Sequence, residues 1–327
     1  MIALARRIGL YIVAAVVAIT LDFFIPRLMP GNAVSAVLGK LQGTQVTPAA
    51  LKALETEYGL NGQGNAWDQY VKYWGDLLHG NLGVSTNQFP ASVASVISSG
   101  LFWTVGMVGL ATLISFALGT LLGVLVAWRR GSWLDNLLPA MTFFQAAPYF
   151  FIAILLIAGL ATGLHWFPAL NGYDQTLVNP GLNWPYISNV LDHAVLPALT
   201  IVLASAAGWI VGMRNVMVTT MDEDYVLVAQ AKGLPKRRVI AYAARNAILP
   251  SVTGFSLAVG FVVSGALLTE IVFSYPGIGF ILQQAVLNRD FPVLQGVFLI
   301  ITFAVLAANL IADLVYVLLD PRTRQEG

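Results

Sequence analysis

The chain has no cysteine, only three histidines and few charges. Without thiols there is no disulfide, no thiolate metal site and no cysteine nucleophile. His79, His165 and His193 are too scattered to build a metal cage. There are 17 Lys and Arg and 16 Asp and Glu among 327 residues, where an ordinary soluble domain of that length would carry roughly 82 charges. So few cannot cover a water-soluble globule of this size. A formal net charge of +1 excludes a basic nucleic-acid binder on bulk electrostatics. A Gly-rich phosphate loop of the Walker kind and paired catalytic carboxylates are also missing, so the chain is read as not itself an ATPase, and no cofactor is implied.

What is present is apolar. Hydrophobic residues make up 57% of the chain and the mean hydropathy is +0.76, values that describe a protein whose main solvent is lipid. A spanning helix needs about 20 residues to cross roughly 30 Å of hydrocarbon. By that measure spans are expected at about 8–28, 104–127, 137–161, 194–213, 251–273 and 293–319. The first is no cleavable signal, since Arg6 and Arg7 precede an apolar run too long for one and no small-x-small site follows. The expected fold class is therefore all-α, a polytopic membrane protein with six transmembrane helices. Its parts are a tail and first span (1–28), an external segment (29–103), a five-helix core (104–319) with a cytoplasmic loop at 214–249, and a short tail (320–327).

Cationic residues near span ends are retained in the cytoplasm. With the N-terminus inside, inner segments hold Arg6, Arg7, Arg129, Arg130, Arg214, Lys232, Lys236, Arg237, Arg238, Arg245, Arg322 and Arg324. Outer segments hold only Arg27, Lys40, Lys52, Lys72 and Arg289. This bias places both termini in the cytoplasm.

Two outer connections are too long for turns. The first carries a polar helical stretch at 48–58 and an aromatic stretch, Trp67-Asp-Gln-Tyr-Val-Lys-Tyr-Trp74, and reads as a small folded cap. The aromatic stretch suits a belt of Trp and Tyr at headgroup level, with a partner-facing patch as the alternative. The second, 162–193, carries neither Lys nor Arg and shows little periodicity.

The cytoplasmic stretch 214–249 is the most informative. Asp222, Glu223 and Asp224 supply N-cap and first-turn acids, and Gly233 followed by Pro235 is a helix stop. Tyr225 to Lys232 leaves room for about two turns, too few to be stable without a surface to pack on. A basic helix, Lys236 to Ala247, then leads into the fifth span. Such a presentation fits docking of a separate soluble subunit. It equally fits a lipid-surface segment, with Lys236, Arg237, Arg238 and Arg245 on anionic headgroups.

Here the residues carry a resemblance. Asp224-Tyr-Val-x-x-Ala-x-Ala-Lys-Gly-Leu234 followed by Arg245-Asn-Ala-Ile-Leu-Pro250 resembles the cytoplasmic loop of permease subunits of bacterial ATP-binding-cassette importers, within the dipeptide, oligopeptide and nickel permease family. Further stretches fall in the same order as in that family: Arg6-Arg-Ile-Gly-Leu10, Met29-Pro-Gly31, Gly80-Asn-Leu-Gly-Val-Ser85, Arg130-Gly-Ser132, His193-Ala-Val-Leu-Pro197, 265–279, 289–296 and Leu319-Asp-Pro-Arg322. Departures are Pro30-Gly-Asn-Ala33, where the family has Pro-Gly-Asp-Pro, and Tyr242, where a His is common. The long segment after the first span is similar to the first of the two permeases in such systems.

The resemblance implies a cell-membrane importer of bacteria or archaea. In it this chain pairs with a second permease, two cytoplasmic ATPases drive transport, and an external binding protein delivers the solute. The short helix is then the coupling helix, with Asp224, Tyr225, Ala229, Ala231, Lys232 and Gly233 as its key positions. Peptides are the expected substrate and oligosaccharides the alternative; the lack of clustered His weighs against nickel.

Small and polar positions suggest a pathway lined by Thr104, Gln145, Tyr149, Ser256, Gly260 and Ser264, the last three at i, i+4, i+8 on one helix face. Close helix packing gives the same pattern. Acids near span ends, Asp22, Glu270 and Asp313, are candidates for a functional role facing the bundle interior; the alternative for Asp22 and Glu270 is that they reach interfacial water or a helix N-terminus, and for Glu270, beside the Tyr275-Pro-Gly-Ile-Gly279 turn, that structural role is preferred. A secondary transporter would display inverted repeats and interrupted helices at the midplane; neither is evident in the hydropathy pattern. A membrane enzyme would need convergent His, Asp or Ser groups.

Overall fold

Apolar side chains face outward along most of the helices: Leu10, Val13, Leu121 and Leu155 are each at least 60% exposed. Water would penalise such surfaces, and a bilayer does not. The computed structural model describes residues 2–28, 66–260, 262 and 266–319. The stretch 48–58, Met29-Pro-Gly31, Ser264 and the tail 320–327 lie outside the described residues. Among the described residues all extended regular structure is helical. Two compact units divide the chain, Met1–Trp103 with Pro276–Leu306, and Thr104–Tyr275 with Ala307–Gly327.

The first unit contains α1 (Ile2–Leu28), α2 (Ala66–Leu78) and all but the last residue of α3 (Val93–Thr104). The aromatic stretch forms α2 and packs on α1. Phe23 is fully buried with its ring 5.2 Å from Tyr70 and 5.6 Å from Tyr73. Tyr73 donates to Asp22 Oδ2 at 2.9 Å, and Thr20 and Tyr70 share a 2.8 Å hydrogen bond. Asp22 is therefore a buried acceptor facing the protein interior, and of its two readings the interfacial one does not hold. Tyr70 and Tyr73 spend their rings on α1, leaving Trp67 as the outward aromatic, 64% exposed. In the same unit Asp290, 2% exposed, accepts from Ser85 Oγ and from the backbone N–H groups of Thr86, Asn87 and Val293. One carboxylate thus ties the Gly80–Ser85 motif to the start of a helix at Phe291.

The second unit holds α4 (Leu110–Trp128), α5 (Leu138–Ala146), α6 (Tyr149–Leu156), α7 (Trp184–Met221), α8 (Asp224–Ala231), α9 (Lys236–Ala247), α10 (Leu249–Gly260) and α11 (Leu267–Val272). Back in the first unit α12 (Ile278–Asn288) follows, and α13 (Phe291–Leu319) is the last described helix, passing into the second unit at Ala307. Among the described residues three helical stretches are long and apolar enough to cross a membrane: Val93–Trp128, Trp184–Met221 and Phe291–Asp313. Leu138–Ala146 and Tyr149–Gly163 pass that test together but are bent by 103°. The third expected span is thus an interrupted helix. Its break falls at Pro148, which has extended ψ of 138° and no N–H to continue the ladder. Shorter apolar helices cover Gly9–Ile25, Leu249–Val259 and Ile278–Asn288.

The fourth expected span proves much longer. It starts at Trp184, where Asn183 caps it by accepting from Tyr186 N–H at 2.9 Å, and it runs through Pro197 to Met221. At 1.5 Å per residue such a rod is about 57 Å long. Packing of α4 on α7 is very close. A Cβ at Gly119 would lie 2.5 Å from Trp209 Cβ, and one at Gly123 would lie 2.7 Å from Met213 Cβ and 2.8 Å from the Ile210 carbonyl. The two glycines, four apart, let the backbones approach as in small-xxx-small membrane pairs.

Candidate functional site

Two places in the second unit combine chemistry with access. The first is the segment after α7. Helix α8 has eight residues and begins after Glu223, whose backbone is extended but whose side chain makes no capping bond. Asp224 stands in the first turn, favourable at the positive end of the helix dipole. Gly233 follows with φ of +71°, the left-handed stop expected there, and its N–H reaches the Gln230 carbonyl at 2.9 Å. An added Cβ at Gly233 would meet nothing of this chain within 4 Å. The position therefore requires glycine for its backbone angle, not for internal room.

Two turns are anchored from one side only. Val226 and Ala229 are buried in a cluster with Ala127, Met213, Met217, Val239, Ala243 and Ala247. Ala229 thus faces into the protein. Tyr225, Leu227 and Val228 are 41%, 50% and 51% exposed, and Asp224, Ala231 and Lys232 are exposed beside them. On α9 the buried stripe is Val239, Ala243 and Ala247, while Lys236, Arg237, Arg238, Tyr242 and Arg245 are exposed.

The turn between α4 and α5 is tied to the same end of α7. Arg214 donates to Asp135 Oδ1 at 3.0 Å and the Gly131 N–H donates to Oδ2 at 3.2 Å. The Gly131 N–H first, and then the Arg214 guanidinium, hold the Asp135 carboxyl below the usual carboxylate range. Arg130 donates to the Val218 carbonyl at 2.9 Å.

The second place is a cavity of about 490 Å³ between α4, α5, α6, α7 and the α10 end. Gln145, Tyr149, Thr112 and Ser205 supply polar groups, and Trp209, Val108, Ile201 and Val262 supply apolar walls. Every lining residue is uncharged. Tyr149 and Ser205 share a 3.2 Å hydrogen bond. The Trp209 ring is fixed edge-on to Phe116, which stacks on Phe255. A Cβ at Gly208 would lie 3.5 Å from the Gln145 amide nitrogen, so Gly208 opens space beside that amide.

The structure thus brings Gln145 and Tyr149 together on one cavity. Thr104 is elsewhere: it is 1% exposed and donates to Glu270 Oε1 at 2.6 Å. Glu270 is fully buried in the first turn of α11, so of the two structural readings it meets the helix N-terminus and not interfacial water. Ser256 is half-buried on α10 and donates to the Val252 carbonyl. Gly260 ends α10, and Ser264 lies outside the described residues, so the one-face arrangement of the three rests on spacing alone. Asp313 is half-buried in α13. Thr112, Ser205, Gly208 and Trp209 were not anticipated. The small-polar-small run Ser205 to Gly208 inside an apolar helix was the available signal.

Residues 119–325 match the family described as binding-protein-dependent transport system inner membrane component. The di/tripeptide transport system permease protein of Pseudomonas aeruginosa is 33% identical over 354 residues, spanning 99% of this chain and 98% of that protein. The dipeptide transport system permease protein of Escherichia coli is 32% identical over 341 residues, 98% of each. The oligopeptide transport system permease protein of Bacillus subtilis is 30% identical over 304 residues, 92% of each.

Proposed function

The chain belongs to the binding-protein-dependent transport system inner membrane component family, and from that premise we propose that it forms half of the pathway of an ATP-driven importer of peptides. It is a multi-pass membrane transport component, not an enzyme. Six spans with both termini in the cytoplasm remain the preferred topology, supported by the Lys and Arg bias. A second permease completes the pathway, two cytoplasmic ATPases drive it, and an external binding protein loads it.

The observation that carries this reading is the one-sided anchoring of α8. A two-turn helix whose inner face is fixed by Val226 and Ala229, and whose outer face offers Tyr225, Leu227 and Val228, suits docking on another protein. Movement of such a partner would reach α7 through the Met213–Met217 contact. Asp224, Tyr225, Ala231 and Lys232 are assigned to the docking face, Ala229 to its anchor and Gly233 to its turn.

The cavity at Gln145 and Tyr149 is assigned to the pathway. Its uncharged lining suits peptides of varied side-chain charge, and the Gln145 amide and the hydroxyls offer hydrogen bonds to peptide groups. Thr104 takes a different role, holding Glu270 in the wall. Relatives named for dipeptides, tripeptides and oligopeptides favour peptides over oligosaccharides.

In proteoliposomes, peptide uptake is expected only when the second permease, the ATPases, ATP and loaded binding protein are all supplied. Uptake by this chain alone on an ion gradient would sink the proposal and restore a secondary transporter.

A further inference from the structure

The cytoplasmic segment presents two unlike faces on adjacent helices. Helix α8 exposes Tyr225, Leu227 and Val228, an apolar face. Helix α9 exposes Lys236, Arg237, Arg238 and Arg245 within twelve residues. None of those four cations forms an ion pair with a described carboxylate. Of the nearby acids, Asp135 pairs with Arg214 and Asp222 stands 4.0 Å from Arg130, while Glu223 and Asp224 are exposed at the start of α8.

Depth is set by what α9 packs against. Its buried stripe, Val239, Ala243 and Ala247, shares one cluster with Ala127 and Met213. Ala127 is followed within three residues by Arg129 and Arg130, and Met213 is followed by Arg214. Each is thus the point where an apolar run gives way to cations, as at a headgroup boundary. The other end of α9 leads through Ile248 directly into the apolar helix α10. At 100° per residue, Arg237, Arg238 and Arg245 fall on the side opposite the buried stripe. A helix with its apolar stripe on protein, its cations outward and its depth at the headgroups meets the conditions for electrostatic lipid recognition.

We propose that α9 is a binding site for anionic phospholipid headgroups, made by Lys236, Arg237, Arg238 and Arg245, and that it fixes the cytoplasmic segment against the membrane. The two faces then divide the labour: α8 meets protein and α9 meets lipid. Lys and Arg donate to phosphate oxygens, and the clustered charge selects anionic over zwitterionic headgroups. The inference does not depend on the importer reading, because it concerns this chain and the bilayer alone.

The test reconstitutes the full chain in phosphatidylcholine bilayers holding a minor share of phosphatidylglycerol. The protein is then gently extracted and its retained lipids are quantified by mass spectrometry. Wild type is expected to enrich phosphatidylglycerol roughly two- to five-fold over its bulk share, with the enrichment falling as salt rises. The variant K236Q/R237Q/R238Q/R245Q should lose most of it, and Lys72→Gln on α2 should lose none. A charge-keeping set, K236R/R237K/R238K/R245K, should retain it, which separates lost charge from lost folding. Equal retention of both lipids by wild type, or undiminished enrichment in the quadruple Gln variant, overturns the proposal. So does weaker capture of the ATPase subunits by that variant in the same mixed bilayers with its lipid enrichment intact, because the cations would then serve the protein partner.

Discussion

The α4–α7 seam and the α8–α9 segment are both built on α7, yet one is finished within the chain and the other is left open. At the seam, Gly119 and Gly123 bring two backbones into contact with no room for a single extra carbon. At the segment, Val226 and Ala229 are buried while their neighbours Tyr225, Leu227 and Val228 stay half exposed. The contrast separates two kinds of residue. Seam positions hold the fold and are felt first as stability; segment positions leave the fold standing and, under the proposed docking role, are expected to be felt as lost communication with a partner.

The largest expected effect is at the seam. Gly123→Leu must push α4 away from Met213 and the Ile210 carbonyl, and overpacking of this kind costs about 3 kcal/mol. The solubilised chain should show a lower thermal midpoint and a poorer folded yield. Gly212→Ala is the matched control, since a Cβ there meets nothing within 4 Å. A wild-type midpoint for Gly123→Leu would erase the distinction between the two regions.

A middle effect is expected inside the second unit, where Thr104→Val removes a donor from a fully buried carboxyl. The loss should be about 2 kcal/mol in denaturant unfolding, with Thr104→Ser recovering most of it. In a Glu270→Gln background the same substitution should cost less, because the two groups act as a pair. Strict additivity would show that the hydrogen bond contributes nothing.

The smallest effect on stability, and the sharpest on function, belongs to Gly233. Any side chain there meets open space but must adopt φ of +71°, a strain of about 1 kcal/mol. Gly233→Asp should therefore fold and insert, yet lose stimulation of the assembled complex's ATPase by loaded binding protein. Gly233→Asn, which tolerates that backbone better, should keep more of it. Full stimulation in Gly233→Asp would mean that the segment has no coupling role and that the comparison holds only for stability.

Local features of the segment were legible from residues alone. The acids at 222–224 mark the start of α8 and the Gly233–Pro235 stop its end to within a residue, because a left-handed stop and a first-turn acid are decided by near neighbours, although the expected side-chain cap does not form at Glu223. Features that need a distant partner were not. Asp22 looks interfacial by depth, but Tyr73 buries it from 51 positions away. Thr104 reads as a small polar liner until Glu270, 166 residues on, takes its hydroxyl. Hydropathy counted 137–161 as one span because it sums apolar side chains and ignores the missing N–H of Pro148. Gly119 and Gly123 show the spacing of a packing pair, but spacing does not name the helix that they pack against.

The unbroken run of α7 between its middle and its Met221 end has a mechanical consequence. Ser205, Gly208 and Trp209 face the cavity, while Met213 and Met217 grip α8, and no break separates them. Trp209 and Met213 are one turn apart, about 6 Å along a rod that is stiff on that scale. A push on the lower end cannot be absorbed by an elbow before it reaches the cavity. Under the proposed docking of α8 it would arrive there as tilt, shift or twist of the wall, and this stretch of helix would serve as a connecting rod whose displacement carries the signal.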